Sequence, residues 1–153
     1  MMFRTHLVLG FLLALIAISY VPVENKFLFL IITTIASSLP DIDHARSAIN
    51  RNIPLLKVFS FFFRHRGILH SIVAAAIVAA FAYHYLAPDI AYAVALGFLA
   101  HLVGDALTKK GIMPFYPITK LRIKGFIRTG SIAEKVFFYG IIGAIIYKIA
   151  ASL

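Results

Sequence analysis

Apolar runs separated by short polar breaks dominate the chain. Thr5 to Val21 is apolar apart from His6 and small hydroxyls, and is long enough to cross a bilayer with modest thinning. Arg4 and this run imitate a signal peptide, with Ala17-Ile18-Ser19 as a passable cleavage site. An uncleaved anchor is expected instead, because further apolar runs follow. The second run, Phe27 to Leu39, is short for a full crossing. Residues 45–67 place Leu55, Val58, Phe59 and Phe62 at helical spacing, with Lys57, Ser60 and Arg64 on the other side. That is the pattern of an amphipathic helix lying in the membrane interface. Gly67 should end it, and Ile68 to Leu86 forms the third run. Pro88 breaks the chain, and Ala91 to Leu107 is the fourth run, closed by Lys109, Lys110 and Gly111. Residues 112–130 read as a loop containing Pro, Gly and basic residues. Ser131-Ile132-Ala133-Glu134 fits a capping box that opens a fifth run, Val136 to Ala151. The pattern predicts an all-α fold: one polytopic helical bundle over residues 1–153, with about five spans and one interfacial amphipathic helix.

Composition sharpens this. The chain is 61% hydrophobic and 14% charged, too apolar for an ordinary soluble domain. It has no cysteine, which excludes disulfides, thiolate ligands and a Cys nucleophile. The net charge of +9 is distributed unevenly. With the loops numbered alternately, one side holds Arg4, the basic residues of 45–67, and those from Lys109 to Lys135. Only Lys26 and Lys148 fall on the other side. The positive-inside rule makes the first side cytoplasmic, with the N-terminus there and the C-terminus across an inner or plasma membrane. The same asymmetry accounts for the charge, so no nucleic-acid partner is expected.

The remaining polar residues gather on that cytoplasmic side. In Leu39-Pro40-Asp41-Ile42-Asp43-His44, Pro40 biases Leu39 out of the helical region. On an extended segment Asp41 and Asp43 would point the same way, toward one cation. The plainer reading is a turn in which Asp bonds locally beside Pro. His44 would cap or orient Asp43. His101 and Asp105, four apart, share a helix face. They can serve as two ligands, or as a ligand and the carboxylate that fixes its ring; the plainer role is an interhelical hydrogen bond. Gly67 lets His65 precede a helix whose first turn carries His70. His6 opens the first run on the same side, whereas Glu24, His84 and Asp89 lie toward the other. Ionisable groups inside a membrane segment are costly and mark function. Arg64, Arg66 and Lys109 supply the positive charge that a phosphate would need.

Three stretches together resemble the YdjM-like family of membrane-bound metal-dependent hydrolases: Leu39 to His44, His65-Arg66-Gly67-Ile68-Leu69-His70-Ser71, and His101-Leu102-Val103-Gly104-Asp105-Ala106-Leu107-Thr108. His6, Gly111, Pro114 to Pro117, and Thr129-Gly130-Ser131 with Glu134 match it too, so the resemblance covers nearly the whole chain in order and spacing. Leu69 stands where the family often has Thr, which weakens a role for a hydroxyl there. The resemblance implies a hydrolase and supplies no substrate.

The expectation is a metal centre near the cytoplasmic face. Asp41, Asp43, His70, His101 and Asp105 are the favoured ligands, with His6 and His65 as further candidates. An all-His/Asp set suits zinc, with manganese or iron as alternatives, and has donors enough for one or two ions. Asp43, His65 or Asp105 would act as general base, and Arg64, Arg66 and Lys109 would bind substrate. The expected substrate is a phosphoester, either a small molecule or a membrane lipid headgroup or lipid-linked compound. Two other readings use the same residues. One is a metal-ion or proton transporter, which requires a polar path to Asp89. The other is a membrane-anchored binding protein for a cytoplasmic regulator, using residues 45–67 and 112–130.

Overall fold

The computed structural model describes residues 1–43 and 67–151, the side chains of residues 42 and 43 excepted. The expected interfacial helix, with His44, Arg64, His65 and Arg66, lies outside the described residues. Among the described residues the protein is all-helical and has no strand. The helices are α1 (Phe3–Ala17), α2 (Lys26–Ala36), α3 (Ile72–Tyr85), α4 (Pro88–Ala106) and α5 (Ile132–Ala150). Two short 3-10 helices, Leu39–Asp43 and Ile68–His70, follow α2 and precede α3.

Local chemistry sets the helix starts. The Asn25 side chain accepts the Leu28 N–H at 2.9 Å and caps α2. Ser71 does the same for α3 through Ala74, at 3.2 Å. Pro88 sits in the first turn of α4, where its missing N–H costs nothing, so this proline opens the helix rather than merely separating two runs. The expected capping box at α5 is half formed. Ser131 accepts the Glu134 N–H at 3.4 Å, but the Glu134 carboxylate turns to other donors.

The third run departs from expectation at its start. Its α-helix begins at Ile72, and His70 ends a separate 3-10 turn instead of occupying the helix's first turn. The N–H of Ile72 is held by the carbonyl of Pro114 from the distant loop, at 2.8 Å, and Ser71 takes the cap. Among the described residues one helix, α4, is long and apolar enough to cross a membrane by itself. Its 19 residues rise about 28 Å. α1 and α3 are apolar but shorter, at 15 and 14 residues, and α2 has 11.

α4 is the central helix, packed against α1, α2 and α3, while α5 lies along α1. Close approach depends on small residues. A Cβ on Gly97 of α4 would sit 2.6 Å from both the Ala36 side chain and the Thr33 carbonyl oxygen of α2. Around this seam lie Ala36, Ala75, Val94 and Phe98, with a second cluster of Ala14, Val23, Phe29 and Ala93. Burial is inverted relative to a soluble protein. The largest fully buried side chains are nearly all polar, His6, His70, His101 and Glu134 first among them. Phe27, Ile77, Phe81, Tyr92, Val136 and Tyr147 lie outside, each more than half exposed. An apolar exterior of this extent suits contact with lipid.

Candidate metal centre

The site forms where α4 meets the two 3-10 turns and the start of α1. In the first turn, the Asp41 N–H donates to the Ser38 carbonyl at 3.1 Å. The end of α2 therefore tightens into a 3-10 helix instead of unwinding. This corrects the expected extended Asp-x-Asp. A 3-10 helix turns about 120° per residue, so positions two apart do not share a face. Asp41 reaches the site; the Asp43 side chain lies outside the described atoms.

His101 is fully buried, and its Nδ1 lies 2.8 Å from the Ser37 carbonyl oxygen. A carbonyl only accepts, so Nδ1 carries the proton and the lone pair is at Nε2, pointing into the site. Nε2 of His101 faces Nε2 of His70 at 3.2 Å. Asp41 Oδ1 lies 3.8 Å from His70 Nε2 and 3.9 Å from His101 Nε2. Asp105 Oδ2 lies at the same 3.8 and 3.9 Å from those two nitrogens. The other Asp105 oxygen, Oδ1, lies 3.4 Å from His6 Nε2 and also contacts the Met1 amino group. The His6 ring stacks on His101 with centroids 3.9 Å apart. Burial pushes the Asp41 carboxyl up, but its place against the His70, His101 and His6 rings outweighs it. Asp41 is held well below the usual carboxylate range.

These distances suit a cation. In a tetrahedron the ligand–ligand edge is about 1.6 times the bond, so bonds of about 2.0–2.2 Å give edges of about 3.3–3.6 Å. His70 Nε2 and His101 Nε2 are 3.2 Å apart, close to such an edge, and Asp41 Oδ1 and Asp105 Oδ2 each lie 3.8–3.9 Å from both nitrogens. Two overlapping sets, His6–Asp41–His101 and His70–His101–Asp105, each bring their donor atoms within 4.8 Å of one another. His6 adds a second indication, since both its ring nitrogens are buried without a hydrogen-bond partner. Buried polar atoms are almost always satisfied, and a bound ion would satisfy one of the two here.

The structure thus brings together Asp41, His70, His101, Asp105 and His6. It does not bring Lys109 in. That residue is exposed beyond the end of α4, and its backbone N–H donates to Ile127 at 2.9 Å. His65, Arg64 and Arg66 lie outside the described residues. Two contributors escaped the sequence. The Ser37 carbonyl orients His101, yet a backbone oxygen carries no residue signature. Glu134, fully buried, accepts the N–H groups of Met2 and Gly130, each at 2.6 Å, and so ties the start of α1 to the start of α5. Its place in the capping pattern was visible, but not this link.

An all-helical membrane bundle with a His/Asp group able to hold a metal ion is the class that fold and site define. The family model described as YdjM inner membrane protein matches residues 1–152, and the chain belongs to that family. It is 31% identical over 142 residues to the uncharacterized protein YvsG of Bacillus subtilis (strain 168), covering 90% of this chain and 88% of that one. It is 33% identical over 86 residues to the inner membrane protein YdjM of Escherichia coli (strain K12), covering 52% of this chain and 44% of that one. No solved structure matches it.

Proposed function

We propose that the protein is a metal-dependent hydrolase acting on a phosphoester at the cytoplasmic face of the membrane. In this reading all five helices lie in the bilayer, the shorter ones with thinning around them. The His/Asp cluster then sits at the cytoplasmic end and the C-terminus on the opposite side. The observation that carries the proposal is the convergence of His70, His101, Asp41 and Asp105 from three separate elements, each carboxylate placing one oxygen 3.8–3.9 Å from both imidazole Nε2 atoms.

Asp41, His70, His101 and Asp105 would hold the ion, and the N/O donor set suits zinc, then manganese or iron. When bound, the metal supplies Lewis acidity toward the scissile group and toward water. The protein's own groups do the rest. The Ser37 carbonyl keeps the His101 tautomer fixed. Asp105 Oδ1 and His6 Nε2, 3.4 Å apart, form a pair able to take and hold the proton of the attacking water. Asp43 and His65 remain candidates for that base. Arg64 and Arg66 would offer the charge that binds a phosphate.

The transport reading is less well supported. It needs polar steps from His101 to Asp89, about 18 Å along α4. Ala93, Val94 and Phe98 are buried over that length, and Asp89 accepts the Glu24 N–H at 2.8 Å at the other end. The test is hydrolysis of a phosphoester panel, lipid-linked and soluble, by chelator-stripped protein before and after metal is restored. Restored turnover is expected; a metal-loaded protein inert toward every phosphoester would sink the assignment.

A further inference from the structure

The segment that follows α4 is neither a plain loop nor part of the site. Residues 107–112 and 123–127 run beside each other and are stitched by backbone hydrogen bonds. Ile112 and Ile123 exchange both N–H···O bonds at 2.9 Å, Ile127 donates to Leu107 at 3.0 Å, and Gly125 donates to Thr108 at 3.0 Å. Gly111 has φ +65°, and a Cβ there would meet the Ile123 carbonyl oxygen at 2.1 Å, so glycine is required for the pairing. Ile112 and Ile127 are buried and hold the ribbon to the bundle.

The rest of the ribbon is exposed in an unusual way. Leu121 is 63% exposed, Ile118 78% and Phe126 75%. Lys120, Arg122 and Lys124 alternate with Leu121 and Ile123, and all five are exposed. Basic and apolar side chains are thus interleaved along one exposed stretch. Between Asp105 and Glu134 the sequence has no acidic residue, while Lys109, Lys110 and Arg128 add further positive charge. The ribbon also begins one residue past Ala106, the end of the helix that, among the described residues, is long and apolar enough by itself to cross a membrane. It therefore emerges at bilayer depth, where an apolar side chain can dip among acyl chains and a basic one can meet a headgroup.

We infer that the 107–128 ribbon docks on the membrane surface by binding anionic phospholipid headgroups. Lys120, Arg122 and Lys124 contact the headgroups, and Leu121 and Phe126 insert beneath them. Because the Ile72 N–H is held by Pro114, the docked ribbon also fixes the start of α3 beside His70.

The chain has no tryptophan, so Phe126→Trp in the full-length protein gives a single emission probe at an exposed position. The protein would be reconstituted into phosphatidylcholine vesicles with and without phosphatidylglycerol, each doped with bromolipid. Emission should be blue-shifted and several-fold more strongly quenched in the anionic vesicles, and Lys120→Gln/Arg122→Gln/Lys124→Gln should remove that difference. Helical content by circular dichroism checks that each variant is folded, and Leu121→Trp replaces Phe126→Trp if it is not. Quenching that is equal in both vesicles would overturn headgroup recognition. Solvent-like emission without quenching in either would overturn membrane docking and leave the ribbon to a soluble protein partner.

Discussion

Nε2 of His70 and Nε2 of His101 face each other across 3.2 Å, although 31 residues separate them in sequence. With the His101 proton held at Nδ1 by Ser37, the Nε2 lone pair has no use in the apolar bundle except toward a proton on His70 or a cation. Asp41 and Asp105 complete the group with two carboxylate oxygens, which a cation would bind and a purely structural pair of histidines would not need.

Removing a donor should therefore cost metal more than structure. His70→Ala and Asp41→Asn are each expected to weaken metal binding by more than the about 10- to 100-fold typical of losing an outer-shell partner. Competition with a chromogenic chelator measures it. Affinity unchanged in both variants would remove those residues from the ligand set.

Glu134→Gln should loosen the start of α1. The carboxylate accepts two N–H groups, and an amide can accept with one end only, leaving a buried donor unmatched. A loss of about 1–3 kcal/mol is expected, read as a lower melting temperature in detergent. His6 lies four residues beyond Met2, so metal affinity should fall as well, by less than in His70→Ala.

Much of this was legible in the sequence, for identifiable reasons. His101 and Asp105 sit at helical spacing on a 19-residue apolar helix, so their common face follows from periodicity alone. Asp41 was legible as a site residue but not in its geometry. The Ser38 carbonyl, whose effect no residue type reveals, bends the chain into a 3-10 turn where Pro40 suggested an extended one. The start of α3 was misplaced because Pro114, more than forty residues away, captures the Ile72 N–H. Lys109 was expected at the site as positive charge for a phosphate, yet backbone pairing with Ile127 carries it into the ribbon.

Gly97→Val tests the seam that brings Ser37 to His101. The added atoms would meet Ala36 and Thr33 and push α2 away from α4. Overpacking of this kind costs about 1–3 kcal/mol, and here it should also lower metal affinity by displacing the Ser37 carbonyl. Thermal melting and metal titration of the same preparation check both. A variant that melts lower but binds metal normally would show that the Ser37 contact is dispensable.

The absence of cysteine makes topology accessible by single-cysteine labelling. Lys120→Cys should be protected from impermeant maleimide added outside intact cells, and Glu24→Cys should be labelled. The opposite result would place the His/Asp cluster on the outer face.

Elemental analysis of purified wild type beside His101→Ala is the sharpest test of the metal centre, because His101 belongs to both donor sets. About one equivalent of a divalent transition metal is expected in wild type, since both sets need the same Nε2 lone pair. Near-total loss is expected in the variant, with helical content unchanged. Equal metal content in the two proteins, or none in wild type after metal-replete purification, would contradict it.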